Sequence, residues 1–205
     1  MSILRARRGF SIIELSVASF LLSLLLTMIY LVMQPGMRQF AQGNVFGGVQ
    51  QETQKGMQAL VKDLSYAHKD QVGFGGGPNP YIWFLSGEAP TNAPASFGFS
   101  NSGQLVYQKW ICYYYDPTQK VLVKAEIALT PATEVPVPPP APAPNLGAFI
   151  AVTGPMRKVV TRGVEQFVIT KMTMLNYNIR LSAAGVFGSD KTQLTLESEV
   201  SVRNQ

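Results

Sequence analysis

Residues 10–33 form an almost unbroken apolar run, and a single carboxylate, Glu14, stands inside it. As a helix rising about 1.5 Å per residue, the run reaches about 36 Å, enough to cross a bilayer. A charged side chain within such a segment is costly and is normally there to meet a partner. Arg5, Arg7 and Arg8 precede the run, and only Arg38 follows closely. The positive-inside bias therefore puts the N-terminus in the cytoplasm, in a single pass, and the rest of the chain outside.

The order Arg7-Arg8-Gly9-Phe10-Ser11-Ile12-Ile13-Glu14 is more specific than its hydropathy. A basic patch, a Gly, an aromatic, three more residues and a Glu resemble the class III signal of type IV pilins and pseudopilins. That resemblance implies cleavage between Gly9 and Phe10 by a prepilin peptidase, methylation of the new Phe10 amine, and Glu14 as the fifth mature residue. It also implies that Glu14 meets the terminal amine of a neighbouring subunit; pairing within one chain is the open alternative. Three other readings compete. A secretory signal peptide has a shorter apolar core and a small-residue cleavage site, and Gln34-Pro35-Gly36-Met37-Arg38 offers none. A twin-arginine signal has a weakly apolar core, unlike the leucine-rich residues 21–26. An ordinary signal anchor explains length and orientation, but neither Glu14 nor the Gly-Phe junction.

Ser16, Ser19, Ser23 and Thr27 fall on one helical stripe. Small hydroxyl residues so spaced allow close approach of another membrane helix. They are equally tolerated when each bonds its own backbone, and both readings stand. Pro35-Gly36 is expected to kink or break the helix. Beyond it, Phe46, Val49, Thr53, Met57, Leu60 and Leu64 make a stripe that can bury against a sheet. Gly43, Gly47, Gly48 and Gly56 weaken intrinsic helicity, so this part needs packing.

From about residue 81 the pattern is strand-like. Strands are expected over 81–85, 104–115, 120–128, 149–152, 158–161, 165–170, 178–182 and 193–202. Asp116-Pro117-Thr118-Gln119 turns the first long pair into a hairpin. In the last strand Leu194, Leu196, Ser198, Val200 and Val202 alternate with polar residues, one buried face against one wet face. Gly73-Phe74-Gly75-Gly76-Gly77-Pro78 lacks the Lys-Ser/Thr of a P-loop and reads as a surface loop. The Pro-rich loop 134–145 reads as an extended, semi-rigid excursion, with partner docking as the alternative.

The segments Met57-Gln58-Ala59-Leu60-Val61-Lys62-Asp63-Leu64-Ser65-Tyr66-Ala67 and Val160-Thr161-Arg162-Gly163-Val164-Glu165-Gln166-Phe167 carry a finer resemblance. With the hairpin and the ending Val200-Ser201-Val202-Arg203-Asn204, they resemble J-type minor pseudopilins of type II secretion and W-type minor pilins.

Composition removes several function classes. Of 17 Lys and Arg, three lie in residues 1–9, leaving 14 against 12 acidic residues and no dense basic cluster. Nucleic-acid binding is therefore not expected. The single cysteine, Cys112, excludes an intrachain disulfide and reads as a buried core residue. The single histidine, His68, excludes a multi-histidine metal site, although a carboxylate-only calcium site stays open. Neither a catalytic constellation nor a cofactor motif is visible, so the chain reads as the substrate of an enzyme and not as an enzyme.

The expected fold is α+β: a leader over 1–9, a membrane helix over 10–33, an amphipathic stalk helix over 34–70, and an antiparallel β-rich head over 71–205. The resemblance implies a minor subunit in the inner membrane that passes into a periplasmic or cell-surface filament, initiating assembly or standing near its tip. Its implied partners are other pilins, a platform protein and an assembly ATPase. The rivals are a DNA-uptake or adhesion pilin, and a signal-anchored periplasmic domain that never assembles.

Overall fold

The computed structural model describes residues 11–68, 70–94, 97–101, 103–133, 144–173, 175–188 and 190–202. Gly9, Phe10 and residues 134–143 of the Pro-rich loop lie outside the described residues. The fold is α+β, and the chain divides into two units, Met1–Asn44 and Val45–Gln205.

Helix α1 (Ile12–Ser65) is one element of 54 residues. In the first unit residues 11–40 are all exposed, and the helix is long and apolar enough to cross a membrane. Of the kink or break expected at Pro35-Gly36, a break does not occur: Pro35 lies inside the helix. A proline deletes one hydrogen bond to the preceding turn and costs about 3 kcal/mol in a helix interior. Helix propagation on both sides offsets that local loss.

In the second unit α1 buries Thr53, Gly56, Met57, Leu60 and Leu64. Phe46 does not join this stripe and is 42 % exposed. Val45 and Val49 turn inward instead, where a Cβ on Gly185 would come within 2.7 Å of both side chains. Gly56 has a similar purpose. A Cβ there would overlap the Thr161 hydroxyl, which donates to the Glu52 carbonyl at 3.1 Å. The glycine that weakens the helix thus admits a strand against it.

Six strands form the larger sheet: β1 (Val72–Gly75), β2 (Tyr81–Ser86), β3 (Gly98–Phe99), β4 (Leu105–Asp116), β5 (Val121–Thr133) and β6 (Arg157–Arg162). Their order is β1-β2-β4-β5-β6, with β3 beside β4, and every pairing is antiparallel. The glycine-rich segment expected as a loop opens as strand β1. Its Gly73 and Gly75 lie opposite Trp83 and Tyr81, whose rings occupy the space a Cβ would need. The β4–β5 hairpin forms as expected. Asp116 Oδ1 accepts the N–H groups of Thr118 at 2.9 Å and Gln119 at 3.2 Å, and Lys120 adopts φ 52°.

This sheet is buried on both faces. Ile82, Phe84, Ile111, Tyr113 and Leu122 share a cluster with Met57, Leu60 and Leu64 of α1. On the opposite face Trp110, Cys112, Tyr114, Val123 and Ala125 pack with Phe149. Phe149 comes from a short helix, α2 (Leu146–Ile150), where a strand over 149–152 was expected. Asn145 caps α2 by accepting the Ala148 N–H at 2.9 Å. A run of four apolar residues has no period that separates the two conformations, and the cap decides it.

The smaller sheet orders β7 (Val164–Lys171), β8 (Asn176–Phe187) and β9 (Asp190–Ser201). Phe167, Tyr177, Ile179, Leu181 and Val200 join the cluster around α1. The expected alternation of β9 holds: Leu194, Leu196, Ser198 and Val200 are half-buried or buried, while Thr195, Glu197, Glu199 and Ser201 are exposed. Across that wet face Glu197 accepts from Asn178 at 2.8 Å and Arg180 at 3.1 Å.

Candidate functional site

The start of α1 is built by a reciprocal cap. The Ser11 hydroxyl accepts the Ile13 N–H at 3.3 Å, and Glu14 Oε2 accepts the Ser11 N–H at 2.9 Å. This is a variant of the capping box: the Glu side chain reaches back to the Ser N–H as that motif requires, while the Ser hydroxyl takes the N–H of Ile13, one residue before Glu14. The Ser-x-x-Glu spacing of residues 11–14 carries that signal, alongside the charge of Glu14 and its place after the Gly-Phe junction. Its carboxylate is exposed and bound to backbone one residue after Phe10.

Ser16, Ser19, Ser23 and Thr27 are all exposed on α1. The Ser16 hydroxyl donates to the Ile12 carbonyl at 2.9 Å, Ser23 to Phe20 at 2.8 Å, and Thr27 to Ser23 at 2.8 Å. These three hydroxyls therefore carry no unmet hydrogen bond into an apolar medium, where an orphan would be expensive.

The head holds a second constellation that sequence reasoning missed. Lys109 of β4 is 2 % exposed, and its Nζ meets Glu88 at 2.9 Å and Glu126 of β5 at 3.2 Å. Lys124 bridges Asp63 of α1 at 2.7 Å and Glu126 at 3.2 Å. The Tyr113 hydroxyl donates to Asp63 at 2.7 Å. Thr91 donates both its hydroxyl, at 2.8 Å, and its N–H, at 3.1 Å, to Glu126. The signal is a lysine in the largely apolar β4, with Lys124 and Glu126 alternating in the next strand. Only the hairpin register, which sets Ile111 opposite Glu126, brings them together.

The charges of this network support one another. Burial pulls the Lys124 pKa down, but Asp63 and Glu126 outweigh it and leave the pKa raised. Burial likewise pushes Glu126 up, and the Thr91 hydrogen bond with Lys124 and Lys109 brings it below the ordinary value. Burial, and then Asp63, raise the Tyr113 phenol far above its usual range. Buried ion pairs gain little net stability, yet losing one partner is costly. The network thus fixes where the end of α1 meets the hairpin.

Two cavities open on this network. The larger, about 310 Å³, lies among Lys55, Lys62, Asp63, Lys124 and Lys158, walled by Ala59, Met156 and Val160. The smaller, about 250 Å³, is lined by Glu88, Lys109 and Pro90, and shares Thr91, Lys124 and Glu126 with the larger. Among the described residues no group of three His, Cys, Asp or Glu could hold a metal ion. Cys112 is a buried free thiol whose pKa is raised by burial.

Residues 4–30 match the family described as the prokaryotic N-terminal methylation motif. No curated protein and no solved structure matches the chain. The motif supports a type IV pilin-like family, a structural class and not an enzymatic one, and indicates a pilin- or pseudopilin-like substrate of a prepilin peptidase. The α+β fold, with its long apolar N-terminal helix followed by antiparallel sheets, fits that class. The motif and the apolar helix together point to membrane anchoring.

Proposed function

We propose that the chain is a minor pilin or pseudopilin of a type IV filament machine, acting in assembly initiation or at the filament tip. The observation that carries this reading is the methylation motif running into α1, with Glu14 in the first turn of an exposed apolar helix. Cleavage after Gly9 creates an ammonium on Phe10. The neighbouring Ser11 N–H already holds the Glu14 carboxylate. A carboxylate and an ammonium at membrane depth stabilise each other, since either alone in hydrocarbon is costly.

In this proposal the capping box keeps Glu14 satisfied while the precursor waits in the inner membrane, N-terminus in the cytoplasm and head outside. On docking, the carboxylate exchanges its backbone partner for the Phe10 amine of an adjacent subunit. The stripe of Ser16, Ser19, Ser23 and Thr27 gives that neighbour close approach. The J- and W-type likenesses of residues 57–67 and 160–167 favour a low-abundance subunit, with a platform protein and an ATPase supplying the movement.

Intact mass and N-terminal sequencing of the protein from its native membrane test the reading. The expected chain begins at Phe10 and is methylated there. A chain that keeps Arg7-Arg8-Gly9, in cells with an active prepilin peptidase, overturns the assembly role and leaves a signal-anchored domain.

A further inference from the structure

The floor and the rim of the larger head cleft differ in one decisive respect. On the floor every carboxylate is engaged: Asp63 holds Lys124 and Tyr113, and Glu126 holds Lys109, Lys124 and Thr91. On the rim stand Lys55 and Lys62 of α1 and Lys158 of β6, all exposed. Among the described residues none of these three lies within ion-pair distance of a carboxylate. The cleft has its carboxylates and Lys124 satisfied and its three rim lysines open.

We infer that this cleft binds an acidic polypeptide segment through Lys55, Lys62 and Lys158. Single exposed lysines are ordinary solvated charges, but three converging on one concavity focus a positive potential there. Spacing selects the ligand class. Lys55 and Lys62 are two helical turns apart, about 10 Å along the axis, so one carboxylate cannot reach both. An extended chain advances about 3.3 Å per residue, so acidic side chains a few positions apart match that separation. Ala59, Met156 and Val160 offer the aliphatic stems of such side chains an apolar wall. A volume of about 310 Å³ accommodates two or three side chains and is at the small end for a cofactor. The ion-pair floor supplies rigidity, since Lys124 and Asp63 tie α1 to β5 beneath the ligand. This inference does not depend on the membrane role of α1.

The test uses the full chain in detergent micelles, with a fluorescent octaglutamate peptide as probe and octaglutamine as its uncharged match. Octaglutamate is expected to bind and octaglutamine not to. The K55Q/K62Q/K158Q variant should weaken octaglutamate by about tenfold or more, and K120Q/K171Q/K191Q, equal in charge removed, by less than about twofold. Slow labelling of Cys112 in each variant shows that the head is folded. Absence of octaglutamate binding, or equal loss in both triple variants, overturns the inference. Displacement of the peptide by citrate or inorganic phosphate at matched charge concentration also overturns it, because the site would then take free anions and not a polypeptide.

Discussion

The two halves of α1 are one helix held by different means. Over residues 11–40 every side chain is exposed, and several polar groups turn back on the helix itself: Glu14 onto Ser11, Ser16 onto Ile12, Ser23 onto Phe20, Thr27 onto Ser23. From Val45 onward Thr53 and Ser65 still bond their own helix, but other groups reach outward to the sheets. Asp63 holds Lys124 and Tyr113, and the Glu52 carbonyl holds Thr161. A segment with its hydrogen bonds met internally suits hydrocarbon or a like helix. A segment interrupted by Gly47, Gly48 and Gly56 persists by packing. Head stability and membrane function should therefore separate by mutation, and matched substitutions in the two halves can break that separation.

The largest contrast comes from leucine. Leu60 is 1 % exposed in the core beneath the sheet, whereas Leu24 is 43 % exposed in the apolar half. Leu60→Ala should cost the head about 3 kcal/mol through lost burial and the cavity left behind. Leu24→Ala should leave the head unchanged. Urea unfolding of the full chain in micelles, read by labelling of Cys112, measures both. Because Cys112 is the single cysteine and is buried, its reaction reports opening of the head alone. A shift with Leu24→Ala equal to that of Leu60→Ala would merge the two halves into one cooperative unit.

Glycine gives the next contrast, and here the sign should change. A Cβ at Gly56 meets Thr161, while one at Gly43 meets nothing within 4 Å. Gly56→Ala should destabilise the head by about 2 kcal/mol, the usual scale of overpacking. Gly43→Ala should instead raise local helicity, by about 1 kcal/mol of propensity. Circular dichroism together with the Cys112 readout separates these outcomes, and destabilisation of the head by Gly43→Ala would sink the argument.

These glycines also mark what the sequence could and could not disclose. Gly56 was legible as a weak helix former, but that Thr161 needs its missing Cβ depends on a contact 105 positions away. Short-range patterns were read well. The alternation of β9 and the Asp116-Pro117 turn both follow from neighbours a few residues apart, and both appear as expected. The apolar run at 149–152 belongs partly to α2 and not to a strand, because Asn145, at the end of the Pro-rich stretch, caps a helix there. Phe46 failed by register, since Val45 and Val49 take the inward face against Gly185. The Lys109–Glu126 pair was hidden for a similar reason: it joins two strands through the hairpin register, and composition alone shows a lysine in an apolar strand.

Acid offers a smaller test confined to the head. The Glu126 pKa is lowered in the folded state, so its stabilising contribution is complete above the unfolded value of 4.5 and is lost as pH falls through the folded value. The head should therefore unfold more readily below about pH 4.5. Glu126→Gln should lower stability at neutral pH and flatten that acid decline. Lys124, whose pKa is raised, keeps its contribution below the unfolded value and loses it only as pH rises through the folded one, in the strongly alkaline range. An acid slope unchanged by Glu126→Gln would mean that other carboxylates govern it.

Ser23→Leu should have the smallest effect on stability and the most to say about the exposed half. The Ser23 hydroxyl bonds the Phe20 carbonyl at 2.8 Å, a bond that replaces no tertiary contact and whose loss leaves a helical carbonyl still in its ladder. The urea midpoint of the head should not move, and neither should cleavage. A leucine on the stripe does, however, add bulk where a second helix would approach closely. Reduced filament assembly at unchanged protein level and unchanged processing would make the stripe a contact surface. Full assembly would show that Ser16, Ser23 and Thr27 are there because each bonds its own helix, and would leave Glu14 as the polar group of the stripe's half with work to do between subunits.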